Sequence, residues 1–196
     1  MSESVTPYKT EEGKKEQVKN MFNNIAGRYD FLNRVLSLGI DVYWRNKAIK
    51  ALKKYNPEHI LDVACGTGDF TIAALKANPK KVTGVDISEQ MLEAGRKKII
   101  KKKLSDRITL LTGDSENLEF PENTFDACTV AYGVRNFEDL QKGINDIYRV
   151  IKPNAPIIIL EFSKPRVFPV KQLYNFYFGT ILPVIGRLVS GDARAY

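Results

Sequence analysis

The sequence has few of the residues that disulfide frameworks, metal sites and membrane spans require. Its 196 residues include two cysteines, Cys65 and Cys128, and one histidine, His59. Two cysteines far apart in sequence offer no disulfide framework and fit a reducing, cytoplasmic compartment. No uninterrupted run approaches the roughly 18 apolar residues of a membrane span, and Met1–Gly13 has no apolar segment typical of a secretory signal. We therefore predict no membrane span, no secretory signal and no metal site.

The sequence does contain enough apolar material for one folded domain. A hydrophobic content of 43% over 196 residues predicts a single domain with a proper core. The formal net charge of +7 admits an acidic partner, either nucleic acid or an anionic membrane surface. Part of that charge lies in the run Arg96–Lys103, which we interpret as a solvated helix end. No aromatic residues interrupt this run, so no nucleic-acid partner is predicted.

One stretch, His59–Asp69, organises the rest of the chain. Ile60, Leu61 and Val63 form a short aliphatic run typical of a buried parallel strand. The run stops at the glycine turn Gly66–Gly68, and an apolar helical pattern follows it. A strand, a glycine turn and a helix in this order let backbone N–H groups face a ligand.

The motif becomes more specific because a second strand follows it and ends in an acid, Asp86. That carboxylate stands at about the spacing expected for a group that binds ribose hydroxyls. The dinucleotide fingerprint requires a third glycine where this chain has Thr71, and the carboxylates of Asp62 and Asp69 would repel a pyrophosphate. They suit a cation instead, and S-adenosylmethionine offers a sulfonium, an ammonium and a ribose. We therefore predict S-adenosylmethionine as the cofactor, with a nicotinamide or flavin nucleotide as the alternative.

Strand and helix patterns alternate through the rest of the chain, which predicts an α/β fold with a doubly wound, mostly parallel sheet. Residues 14–57 precede the first strand and form two helical patterns, one that breaks at Gly27 and one that begins after Gly39. We therefore predict an N-terminal helical cap that belongs to the same domain. Residues 1–13 are expected to be a mobile tail, and residues 58–196 the cofactor-binding core with a C-terminal apolar helical region. Further strands are predicted at Lys81–Asp86, Arg107–Thr112, Phe125–Ala131 and Pro156–Phe162.

Ligands of such sheets bind at the carboxyl ends of the strands. His59 stands at the opposite end of its strand, so we interpret it as structural. Cys65 lies beside the glycine turn and could be a nucleophile, but a small residue packed at a strand end is the better interpretation, since the only histidine is remote.

Four blocks of sequence resemble the quinone C-methyltransferases of menaquinone and ubiquinone biosynthesis, a branch of the class I S-adenosylmethionine-dependent methyltransferases. The resemblance runs from about Phe22 to the last residue and implies the Rossmann-like fold of that class. The blocks are Tyr29–Asn33 through Ser37–Gly39 to Trp44 and Arg45, Asp62–Asp69, Tyr132–Asn136, and Arg149–Pro153 to Leu160–Ser163.

The resemblance also implies which residues contact the cofactor. These are Thr67, Asp86, Asp114 and Ser115, with Asp62 and the backbone of Gly66, Thr67 and Gly68 at the methionine end. Asp86 would accept hydrogen bonds from the ribose diol, and Asp114 and Ser115 would lie at the adenine edge. For Ser115, a turn or helix-capping role is the alternative.

Methyl transfer to a ring carbon requires a group that favours the phenolate, and we assign that role to Arg135. Asn136 would orient Arg135, and Tyr29 and Asp30 would close the pocket from the cap. The alternatives are an ion pair between Arg135 and an acid such as Glu161, and a helix-ending turn at Tyr29 and Asp30.

The implied reaction is C-methylation of a polyprenylated quinol, most closely the conversion of demethylmenaquinol to menaquinol. The apolar stretch Val167–Val189 could admit the prenyl tail at a membrane surface, so we expect a cytoplasmic enzyme that associates peripherally with membranes. A helix packed on the sheet and on a second subunit, hence a homodimer, is the alternative for this stretch. An RNA methyltransferase and a non-catalytic cofactor-binding protein are the alternative functions.

Class I methyltransferases usually finish with an antiparallel strand pair, and this sequence stops before one. The resemblance implies roughly 35–45 further residues in a complete protein. We therefore expect the final strand pair to be missing here.

Overall fold

The computed structural model describes residues 13–37, 39–163 and 165–181. The tail expected at Met1–Gly13 lies outside the described residues except for Gly13, and so does the part of the apolar Val167–Val189 stretch that follows Ile181.

Five parallel strands form one sheet, in the order β3-β2-β1-β4-β5. The predicted doubly wound sheet is therefore confirmed, since the chain reverses its direction of strand addition between β3 and β4. Phe125, predicted to begin the fourth strand, instead makes an isolated bridge to Ile151. The strands are β1 (His59–Val63), β2 (Lys81–Asp86), β3 (Ile108–Thr112), β4 (Ala127–Ala131) and β5 (Ile157–Leu160).

Three helices precede the sheet, one more than the sequence patterns predicted. The sequence indicated a break at Gly27 and a new helix only after Gly39, but α2 lies between them. This helix has only eight residues, fewer than the window of about 11–18 residues over which a helical period is recognised in a sequence. The helices are α1 (Lys14–Ile25), α2 (Tyr29–Leu36), α3 (Ile40–Leu52), α4 (Asp69–Ala74), α5 (Glu89–Lys101), α6 (Leu140–Val150) and α7 (Val170–Phe176).

The central strands are largely apolar and pack on both faces of the sheet. Along β1, Ile60 packs into a cluster with residues of α3, α4 and α5. Leu61 and Val63 pack into a second cluster with residues of α6. Burial on both faces is typical of a parallel sheet covered by crossover helices, and it leaves the strand ends as the place for polar groups.

Side-chain caps fix where two of the crossover helices begin. The Ser88 hydroxyl accepts the N–H of Met91 at the start of α5, and the Asp139 carboxylate accepts the N–H of Lys142 at the start of α6. Among the described residues, no helix combines the length and the apolar character needed to cross a bilayer.

Candidate active site

The glycine turn after β1 is held by the acid at the end of β2. Gly66 and Gly68 have φ angles of 55° and 75°, in the left-handed region that glycine adopts without strain. One carboxylate oxygen of Asp86 accepts the N–H of Gly66 at 2.7 Å, and the other accepts the N–H of Ser88 at 2.9 Å. Burial raises the pKa of Asp86, and the backbone donors act in the opposite direction. The carboxylate keeps lone-pair capacity for a ligand hydroxyl.

A cleft that is partly open to solvent lies over these strand ends. Its walls come from the carboxyl ends of the strands, the loops after β3 and β4, and helices α1, α2 and α5. Its polar lining comes from Lys15, Asp86, Asp114, Ser115, Glu116 and Asn136, and its aromatic lining from Phe22, Tyr29, Tyr132 and Phe137. Of the predicted site residues, the structure thus brings Tyr29, Gly66, Asp86, Asp114, Ser115 and Asn136 together.

An ion-pair cluster fastens α1 to the loop after β3. The Lys15 ammonium lies 2.8 Å from a carboxylate oxygen of Asp114 and 3.4 Å from one of Glu116. These carboxylates contribute to raising the pKa of Lys15 against the effect of its burial. Glu116 is buried and also accepts the N–H of Glu138 at 2.7 Å. Sequence reasoning missed Lys15 and Glu116, whose only signal was the position of Glu116 two residues after Asp114.

Asp62 does not line the cleft. Its carboxylate is buried in the sheet and accepts hydrogen bonds from the hydroxyls of Thr71 at 2.6 Å and Thr129 at 2.8 Å. Burial raises the pKa of Asp62 to about 6. The structure thus places this carboxylate behind the glycine turn, where it braces β4 and α4 through the two threonines.

Thr67, Asp69 and Asp30 meet on the outer side of the turn. Thr67 donates its hydroxyl to Asp30, and the Lys98 ammonium donates to all three side chains. Gly68, the last residue of the turn, also lies outside the cleft lining. The interpretation of the Arg96–Lys103 run as a solvated helix end is therefore wrong for Lys98. The position of Lys98 three residues after the buried Gly95 could have indicated that its side chain faces inward.

Arg135 stands beside the cleft, paired with Glu161. Its guanidinium lies 2.8 Å from a Glu161 carboxylate oxygen and 5.4 Å from the centre of the Phe162 ring. The ion pair named as the alternative for Arg135 is thus present. The second Glu161 oxygen is buried and has no hydrogen-bond partner among the residues described. Phe162 in turn stacks on Tyr132 at 4.5 Å, which connects Arg135 to a residue of the cleft wall.

Two residues other than glycine adopt left-handed backbone conformations at the cleft. Ala64 follows β1 with a φ of 54°, and Tyr132 follows β4 with a φ of 59°. Such conformations cost about 1–3 kcal/mol each and cluster at functional sites. Burial also raises the pKa of the Tyr29 and Tyr132 phenols, so both stay protonated and able to donate a hydrogen bond.

His59 and Cys65 occupy structural positions. The His59 ring lies 3.0 Å from the Thr83 hydroxyl and packs on Phe125, at the end of β1 remote from the cleft. Burial raises the pKa of the Cys65 thiol, so this side chain lacks the thiolate character of a nucleophile.

Comparison with known proteins assigns a family to this arrangement. A protein-family model described as "ubiE/COQ5 methyltransferase family" matches residues 10–196. A Bacteroides fragilis protein named demethylmenaquinone methyltransferase is 48% identical over 195 residues, which cover 99% of this chain and 80% of the relative. A Geotalea daltonii protein named ubiquinone/menaquinone biosynthesis C-methyltransferase UbiE is 46% identical over 183 residues, covering 92% of this chain and 77% of the relative.

Solved structures support the fold in the same way. The crystal structure of a SAM-dependent methyltransferase from Aquifex aeolicus superposes with a TM-score of 0.55 at 22% identity. The match covers 70% of this chain and 77% of that one, and at this identity it supports the architecture alone.

Proposed function

This chain belongs to the ubiE/COQ5 methyltransferase family, and from that premise and its site we propose that it methylates a ring carbon of a polyprenylated quinol. The methyl donor is S-adenosylmethionine, and the best-supported reaction is the conversion of demethylmenaquinol to menaquinol. The similar proteins that carry the name demethylmenaquinone methyltransferase support this choice of acceptor.

The lining of the cleft fits the cofactor. Asp86 keeps lone-pair capacity for a ribose diol, and Asp114 and Ser115 suit the edge of an adenine ring. The turn at Gly66 brings bare backbone to the cleft wall, where an added Cβ would lie 3.3 Å from the Met91 side chain. We propose that Asp62, Thr67 and Gly68 support the methionine end from behind by fixing the shape of this turn.

When bound, the cofactor supplies an electrophilic methyl group on a sulfonium. The residues of the chain then have to hold the acceptor ring in line and favour its phenolate form. We assign the second task to Arg135, whose fixed charge stabilises an oxyanion but cannot act as a free base. Asn136 and Tyr29 line the cleft as neutral hydrogen-bonding groups for the acceptor hydroxyls. Asp30 lies outside the cleft lining and acts through the hydrogen bond that it accepts from Thr67.

The aromatic wall of the cleft supports a flat apolar acceptor. Phe22 and Tyr29 come from the cap and pack edge to face at 5.9 Å, whereas Tyr132 and Phe137 follow β4. Since cap and core contribute to one wall, we treat residues 14–57 and the sheet as one domain. In-line holding of carbon, methyl and sulfur in such a pocket can supply about 7–11 kcal/mol of the barrier reduction.

A lipid acceptor also requires access from a bilayer, and exposed apolar side chains support peripheral association with an anionic membrane. On α3, Tyr43 and Trp44 are exposed, with the Lys47 ammonium 5.4 and 5.0 Å from their ring centres. A second exposed group consists of Phe162, Val167, Phe168, Leu173 and Phe176. Aromatic and basic side chains together are typical of membrane-interface elements.

Vesicle sedimentation tests this association. Phe168→Ser is expected to reduce binding to phosphatidylglycerol vesicles, while Tyr148→Ser, an equally exposed aromatic on α6, leaves it unchanged. If neither the wild type nor the variants sediment and light scattering gives twice the monomer mass, the exposed side chains belong to a homodimer interface instead.

A label-transfer assay tests the reaction itself. S-adenosylmethionine with a labelled methyl group is incubated in detergent with reduced demethylmenaquinone in one tube and bulk RNA in another. We expect label in the organic phase that depends on the reductant. Label in RNA alone would overturn the proposed acceptor, and cofactor binding without label in either tube would favour a non-catalytic protein.

A further inference from the structure

Lys98 connects three parts of the molecule beside the cleft: its own helix α5, helix α2 of the cap, and the glycine turn with the start of α4. The Lys98 ammonium on α5 donates to Asp30 at 2.8 Å, Thr67 at 2.9 Å and Asp69 at 2.6 Å. Its side chain is three-quarters buried, with 25% of its surface exposed. Three acceptors use all three donors of an ammonium group, so Lys98 has no donor left for solvent.

The acceptors of Lys98 come from two different segments. Asp30 lies in the first turn of α2, in the cap, whereas Thr67 and Asp69 lie in the glycine turn and at the start of α4. Thr67 closes the cluster by donating its own hydroxyl to Asp30. The cap and the turn are therefore joined both directly and through the lysine.

A second cation completes the connection from α3. Arg45 lies 3.1 Å from the Asp69 oxygen that Lys98 does not contact, and it also pairs with Asp41. The two oxygens of Asp69 are thus held by two cations, which lower its pKa against the effect of burial. A carboxylate held in this way fixes the orientation of the helix start that it belongs to.

The neighbours of these residues in sequence form one wall of the cleft. Tyr29 precedes Asp30, and Gly66 precedes Thr67, and both of these neighbours line the cleft. A Cβ built on Gly66 would lie 4.0 Å from the Tyr29 ring. The α5 backbone is close as well, because a Cβ on Gly95 would lie 2.9 Å from the Thr67 carbonyl oxygen. A small displacement of α2 from the turn would therefore open the cleft between Tyr29 and Gly66.

We propose that Lys98 is a positioning residue for cofactor binding, which it promotes by holding α2 against the glycine turn. The proposal rests on the proposed function only in naming S-adenosylmethionine as the ligand of the cleft. Lys98 itself does not line the cleft, so its effect must pass through Thr67, Asp69 and Asp30.

The test measures binding of S-adenosylhomocysteine by calorimetry on the full chain, without any quinol. Lys98→Met is expected to weaken binding at least about tenfold, since Asp30 and Asp69 each lose a charged hydrogen bond. Lys97→Met, one residue away and exposed, is the matched control and should bind as the wild type does. Lys98→Arg, which keeps the charge, should recover part of the lost affinity.

A double-mutant cycle separates positioning from simple stabilisation. Asp30→Asn and Lys98→Met are combined, and both the affinity and the urea midpoint are measured for each variant. Positioning predicts that the double variant binds no more weakly than Lys98→Met alone, because both changes break the same connection. Thr67→Val keeps the side-chain volume and removes the two hydrogen bonds of the hydroxyl, to Asp30 and from Lys98, so it should weaken binding about threefold or more.

Wild-type affinity in Lys98→Met would overturn the proposal. So would additive losses in the cycle, or a loss that appears only where the variant is already partly unfolded. A wild type that binds the cofactor but leaves demethylmenaquinol unmethylated would contradict the proposed function alone and leave this inference standing.

Discussion

The two halves of the sheet differ in how their polar side chains are held at the carboxyl ends of the strands. On the side of β1, β2 and β3, Asp86 accepts two backbone N–H groups, and Asp114 is paired with Lys15. On the side of β4 and β5, Arg135 is half-exposed and pairs with a single acid, next to exposed aromatic rings.

In our proposal, the two halves recognise two different ligands. A soluble cofactor with fixed hydrogen-bonding groups needs preorganised acceptors, and the first half offers groups of this kind. A lipid acceptor offers few polar groups and a long apolar tail, which exposed aromatic side chains suit better than a rigid polar cage. We therefore expect changes in the first half to reduce cofactor affinity and changes in the second half to reduce turnover.

The largest effect is expected for Arg135→Ala in the second half. Losing an electrostatic stabiliser of the developing phenolate should lower turnover by about 100- to 1,000-fold. Affinity for S-adenosylhomocysteine should stay unchanged, because Arg135 does not line the cofactor end of the cleft. Steady-state kinetics with reduced demethylmenaquinone measure the first quantity and calorimetry the second; Arg166→Ala serves as an exposed control.

Asp86→Asn should show the opposite pattern in the first half. The amide cannot accept from both Gly66 and Ser88 and from a diol, and each charged hydrogen bond contributes about 1.5–3 kcal/mol. Loss of two such bonds to the ribose predicts at least about a 100-fold weaker affinity for S-adenosylhomocysteine. The exposed Glu93→Gln on α5 is the control. An unchanged affinity would mean that the ribose lies elsewhere.

Asp62 should make stability fall as the pH rises from about 4 to 6. Its pKa is raised from 3.8 to about 6, so in this window the folded chain holds a proton that the unfolded chain releases. The difference of about two units corresponds to a contribution of about 3 kcal/mol, present below the unfolded pKa and lost above the folded one. Urea unfolding of Asp62→Asn should show a flatter pH dependence than the wild type over this range, and an identical slope would contradict the assignment.

A smaller effect, on the free energy of unfolding, is expected from overpacking the contact between α5 and the glycine turn. In Gly95→Ala the new Cβ would lie 2.9 Å from the Thr67 carbonyl oxygen and 2.7 Å from Leu110. Overpacking of this kind costs about 1–3 kcal/mol of unfolding free energy. Gly27→Ala is the matched control, since nothing lies within 4 Å of its added Cβ, and it should be neutral or slightly stabilising. Equal stabilities of the two variants in urea would show that α5 and the glycine turn can move apart to accommodate the added Cβ.

The first half, apart from Lys15 and Glu116, was predictable from the sequence because its signals are local. Two strands, a glycine turn and the acid at Asp86 follow one another within a short stretch, and the structure brings Asp86 to the Gly66 backbone as that pattern requires. The parallel sheet followed from the same alternation of strand and helix patterns. The structure of a short segment with a clear hydrophobic period can be predicted without knowledge of its distant contacts.

The rest depends on contacts between segments far apart in the chain. Nothing in the basic run around Lys98 indicates that two carboxylates, one from α2 and one from α4, lie opposite its side chain. Likewise Asp62 looked like a ligand group by sequence, but Thr129 of a neighbouring strand supplies its partner. Helix α2 was missed because its eight residues are too few for a helical period to be recognised in the sequence.

Hydrogen–deuterium exchange with and without S-adenosylhomocysteine tests the division of the site most directly. The division predicts slower exchange at Gly66, Ser88 and Glu116, whose N–H groups are bonded to Asp86 or Asp114. It predicts no change over residues 157–163 and 165–176 until a quinol analogue is added. Protection centred on those later residues by the cofactor product alone would contradict it.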